Sequence, residues 1–168
     1  MRFLFLIWLL TITFTSCEFS VKTDKKADEK NISKIRNGIE IQSKGIKVEQ
    51  AFLLFEDGNL IPEGNKVKVN QKVRLRIVCS GWKAINGKVF LSGAEIVETS
   101  EGDVILNDST LLKDYTDGIA LSDAEYLTMH VVINQITKLY DYYKVIFRLS
   151  DLNDKQNVVE GFYKLYLN

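Results

Sequence analysis

The chemistry open to this 168-residue chain is bounded first by its two cysteines, Cys17 and Cys79, and its single histidine, His130. A thiol and an imidazole act as nucleophile and base only within hydrogen-bond reach of each other. Cys79 is in phase with Val73, Leu75 and Ile77, the apolar side of an alternating run, whereas His130 is out of phase with Leu127, Met129, Val131 and Ile133. The two side chains are therefore expected on opposite faces of their strands, and Cys79 reads as a small core residue. Zinc needs a cluster of Cys and His that this chain lacks. Asp151-Leu152-Asn153-Asp154 opens like a calcium loop, but Lys155 and Phe162 fall at ligand positions and the required Gly is missing, so a polar hairpin is expected. Gly-rich phosphate loops and the Gly-x-Ser-x-Gly elbow are absent. The residues point to a chain that is not an enzyme and uses no metal or cofactor.

Binding chemistry is better represented. Tyr140, Tyr142 and Tyr143 surround Asp141, and Trp82 and Phe162 are further aromatic candidates. Aromatic faces beside a carboxylate can stack on a sugar ring and bond its hydroxyls. The same residues at the start of a strand also pack against cross-strand neighbours, which is their commoner use.

Residues 1–17 decide where such chemistry would operate. Arg2 and the terminal amine form a short positive region, Phe3 to Phe14 is apolar, and Ser16-Cys17 follows. A bilayer-spanning helix needs about 20 apolar residues, and this run stops short of that. Phe14-Thr15-Ser16-Cys17 resembles the lipobox of bacterial lipoproteins, with Phe14 in place of the usual Leu. The resemblance implies removal of residues 1–16 as a signal peptide and lipidation of Cys17, by a diacylglycerol and then an acyl chain such as palmitate. Two or more chains hold a protein firmly to a membrane. The implied location is the cell envelope; Glu18-Phe19-Ser20-Val21-Lys22 departs from the acidic run that directs some lipoproteins to the outer face, so the periplasmic face and the cell surface both stay open.

Lys plus Arg and Asp plus Glu each total 22, and this balance argues against nucleic acid as a partner. Glu18 to Gly38 is polar and poor in large apolar residues, so residues 17–38 are expected to form a flexible tether. Residues 39–168 then carry the elements that would position any site. Val73 to Cys79 and Tyr143 to Ser150 alternate with period two, Val158 to Leu167 follows, and Asp57-Gly58, Asn86-Gly87 and Glu101-Gly102-Asp103 supply turns. Pro62 belongs on an edge or a connection. The short helix is expected over Thr110 to Tyr115, capped by Asp108 or Ser109, with Ser122 to Tyr126 as a further helical turn or a corner. Short strands with frequent turns and no long helix predict an all-β antiparallel sandwich. Asp123-Ala124-Glu125-Tyr126 resembles the tyrosine corner of immunoglobulin-like sandwiches, without their disulfide. With the Cys17 box and the tether, the chain as a whole is similar to small bacterial lipoproteins bearing an immunoglobulin-like β-sandwich. The function of that family is uncharacterised; the expected role here is an envelope module that contacts proteins or assists assembly, or else one that binds glycans on the same scaffold.

Overall fold

The computed structural model describes residues 35–134 and 138–168. Cys17, the signal peptide and most of the tether lie outside the described residues. The fold is an antiparallel β-sandwich with one short helix, as the alternation predicts. Its longer sheet runs β1 (Glu40–Lys44), β11 (Val158–Leu167), β10 (Tyr143–Asp151), β6 (Leu91–Thr99), β7 (Val104–Asp108), with two-residue β3 (Lys66–Val67) pairing in parallel beyond β1 on β11. Three strands, β2 (Lys47–Phe55), β4 (Lys72–Ser80) and β9 (Tyr126–Val132), form the other layer. A small pair, β5 (Lys88–Val89) with β8 (Ile119–Ala120), sits ahead of the helix α1 (Leu121–Ala124).

The core follows directly from period two. Val73, Leu75, Ile77 and Cys79 of β4 are buried, as are Tyr143, Val145, Phe147 and Leu149 of β10, while the residues between them are only partly covered or exposed. Fully burying each such aliphatic or aromatic side chain contributes about 1.5–3 kcal/mol. Turn chemistry sets the strand register. Asn86 and Gly87, at φ 52° and 76°, form the two-residue reversal between Ile85 and Lys88 that Asn-Gly predicts. Gly58 and Gly102, at φ 87° and 90°, close three-residue loops, each of which returns to the strand it left.

Three expectations are corrected. The helix is Leu121–Ala124, overlapping the turn expected from Ser122, and not Thr110 to Tyr115. Asp108 does cap, with Oδ1 accepting from Thr110 N at 2.7 Å, but Lys113 N reaches Thr110 O and Tyr115 N reaches Leu112 O. Those are i to i+3 turns, in a stretch too short and too rich in Asp and Thr to propagate a helix. The tyrosine corner is absent: Tyr126 opens β9 and is 57% exposed. The folded domain also begins earlier than residue 39. Ile35 bridges Ala51, and Asn37 is buried with its side chain bonded to Ile61, Asn65 and Leu53.

Candidate functional site

Of the aromatic candidates, Tyr140 and Tyr143 stay together while Trp82 is packed apart from them, against Cys79 and Ala124. Tyr143 is buried on the inner face of β10 and takes the ring of Tyr140 edge-on, with centroids 5.7 Å apart and planes at 82°. Trp82 is buried elsewhere, donating from Nε1 to Ala124 O at 3.0 Å. Tyr142 and Phe162 share the outer face of the longer sheet, but ammonium groups already cover their rings. Lys164 Nζ lies 4.2 Å from the Tyr142 centroid and Lys144 Nζ 4.6 Å from that of Phe162, while Lys138 stands 5.0 Å from Tyr140. Each such contact is worth about 0.5–1 kcal/mol at an exposed site. Phe162 does help floor a shallow groove of about 420 Å³ with Ala94, Ile96 and Ile146, rimmed by Glu40, Gln42 and the Arg148–Glu160 ion pair.

Cys79 and His130 are not brought together. Cys79 Sγ is buried against Trp82 Nε1, at 3.3 Å, and burial pushes its pKa up to about 11. His130 is on the opposite face of its sheet, paired in register with Arg74; burial first, and then Arg74 and Lys72, lower its pKa. Cys79 should therefore resist Ellman's reagent at pH 8 in the native protein and react within seconds once unfolded, since the thiolate is the nucleophile. Rapid native labelling would show an open thiol site. Asp151, the first residue of the calcium-like stretch, is buried and spends its oxygens on Lys83 N and Asn153 N, both at 2.8 Å. Among the described residues no group of three or more His, Cys, Asp or Glu is placed to hold a metal, and no helix is long and apolar enough to cross a membrane.

The unexpected surface is β7. The two outer strands of the longer sheet are built differently. β1 is guarded by Glu40, Gln42, Ser43 and Lys44, the polar side chains that normally blunt an edge. β7 instead presents Val104, Ile105 and Leu106, 56%, 48% and 40% exposed, and pairs only with β6 among the described residues. Beside it Ile105, Leu106, Val97, Val132 and Ile133 line a slot of about 300 Å³. An open backbone edge next to an apolar slot can take an extended segment by strand addition, with a side chain in the slot. Asp103 and Asp108 bracket the apolar stretch. Three consecutive apolar residues are visible in the sequence, but their position at the rim of a sheet is not.

No protein-family model matches the chain, and no curated protein matches it in sequence. Among solved structures it is similar to the one titled "Crystal structure of the C-terminal domain of wzt", with a TM-score of 0.51 at 12% identity over 82% of each chain. At that identity the likeness supports the sandwich and nothing finer.

Proposed function

We propose that this chain is a lipid-anchored envelope lipoprotein whose sandwich is a non-catalytic protein-interaction module, and that β7 is where its partner adds a strand. The observation that carries the reading is the exposed apolar edge of β7, which contrasts with the charged edge of β1. Monomeric proteins rarely leave such an edge bare, because it templates pairing with other chains. The flanking Asp103 and Asp108 favour a partner segment with apolar residues between basic ones. A second copy paired antiparallel about the Ile105–Leu106 midpoint would oppose Asp103 and Asp108 at both ends, which disfavours self-association.

The test is in-cell photocrosslinking from position 105, with position 42 on β1 as control, in the Cys17 protein and in Cys17→Ser. A discrete protein adduct from 105 but not from 42, abolished by Val104→Lys with Leu106→Lys, is expected. The Cys17→Ser chain should leave the membrane fraction after a high-salt wash and lose the adduct. Equal adducts from 105 and 42 would sink the edge, and retention of Cys17→Ser in washed membranes would sink the anchor.

A further inference from the structure

The outer face of the three-stranded sheet carries an independent site. Register aligns Phe52, Arg76 and Thr128 in one cross-strand row and Leu54, Arg74 and His130 in the next, with Lys72 opposite Val132 in a third. All of these side chains point away from the core, because Leu53, Val73, Leu75 and Met129 between them point into it. Lys72 is engaged by Glu56 at 2.6 Å. Arg74 and Arg76 make no ion pair among the described residues, and the Nε of each is shielded from solvent with no acceptor. Glu56 and Asp57 feel the charge of Arg74 without touching it, so among the described residues neither arginine is capped by a direct carboxylate contact.

We infer that this face binds an acidic polysaccharide, with Arg74 and Arg76 taking carboxylates on the chain and Phe52 lying along a sugar ring. The chemistry selects this occupant on three grounds. A guanidinium is a planar fork suited to two-point contact with a carboxylate, and it is weakly enough hydrated to be used half-buried. Residues two apart on one strand emerge about 6.6–6.8 Å from each other on the same face, so the pair reads a ligand with repeated anionic groups. A ligand lying across the face of a sheet meets side chains only, whereas a peptide gains its backbone hydrogen bonds at an edge. Phe52 and Leu54 are partly covered within the face and do not protrude as residues inserted into a bilayer would. This inference is independent of the strand-addition reading, since it uses no residue of β7.

Full-length protein in neutral dodecyl maltoside micelles is titrated with polygalacturonate, with dextran, and with phosphatidylglycerol added to the micelles. The expected result is saturable binding of polygalacturonate that weakens steeply with salt, with dextran inert. Arg74→Gln with Arg76→Gln should weaken it at least tenfold, and Arg74→Lys with Arg76→Lys several-fold, because lysine keeps the charge but not the fork. Thermal midpoints within about 3 °C of the parent would establish that the variants are folded; if the double Gln variant melts lower, the Lys pair decides the matter. Binding that is equal for dextran, unchanged in the variants, or confined to phosphatidylglycerol would overturn the assignment.

Discussion

Asn37→Gly is expected to lower the thermal midpoint of the domain by at least about 10 °C. The side chain of Asn37 donates from Nδ2 to Ile61 O and to Asn65 Oδ1, both at 2.9 Å, and its Oδ1 accepts from Leu53 N at 3.0 Å. Asn65 replies, donating from Nδ2 to Asn37 O and to Lys164 O at 2.8 Å each. The two amides thus tie the entry of the domain to β2, to the connection carrying Pro62, and to β11 in the other sheet. Removing the Asn37 amide leaves three buried polar groups without partners, each costing about 1–3 kcal/mol. For a domain of this size each kcal/mol moves the midpoint by about 3–5 °C. Glycine is the informative replacement because Asn37 sits at φ 58°, which glycine adopts without strain, so beyond the hydrogen bonds the loss contains only the added unfolded-chain entropy of glycine, about 0.4–1 kcal/mol. Circular dichroism melting of Asn37→Gly, Asn65→Gly and the double variant checks this. The double variant should lose less than the sum, since the residues share a bond. A drop under 3 °C for Asn37→Gly would show that water satisfies the groups.

That Asn37 lies in a stretch whose composition reads as tether marks the limit of what is legible in one sequence. A single buried asparagine in a polar run has no periodic signature; its partners are 16, 24 and 28 residues away. The strands were legible because burial on one face imposes alternation, and β4 and β10 obey it throughout. The same alternation that marks Val145, Phe147 and Leu149 also places Tyr143 in the core, so its burial is legible in the sequence. Trp82 carries no such signal, since it follows a turn and has no phase. Asp108 is a real cap, but it leads only into turns. β7 and the Arg74–Arg76 face were beyond reach for another reason. Each depends on which strands are neighbours, and the register that sets Phe52 and His130 beside the arginines joins segments more than twenty residues apart.

Glu95 shows most sharply what alternation cannot settle. It stands on the inward phase of β6 between Gly93 and Val97, 2% exposed, and its Oε1 has no hydrogen-bond partner; the buried hydroxyl of Tyr163 is likewise unpartnered. Burial first, and then the charge of Asp108, raise its pKa from 4.5 to about 7. Below pH 4.5 the carboxyl is protonated whether the chain is folded or not, and the group is neutral with respect to stability. Between 4.5 and 7 the unfolded chain releases the proton while the folded one keeps it, so folding grows weaker as pH rises. Above 7 the full penalty applies, about 3 kcal/mol at 1.36 kcal/mol for each pKa unit. His130 acts in the opposite sense, because a lowered imidazole pKa makes stability rise as pH climbs through the same region. The difference between two proteins isolates Glu95: Glu95→Gln should match the parent near pH 4.5 and exceed it by roughly 2–3 kcal/mol at pH 8 in urea unfolding. The exposed, ion-paired Glu160 makes the control, and Glu160→Gln should shift by under about 1 kcal/mol at either pH. A Glu95→Gln protein no more stable than the parent at pH 8 would mean that the carboxylate finds a partner in the folded state, and that the core between β6 and β11 holds a polar network including the Tyr163 hydroxyl.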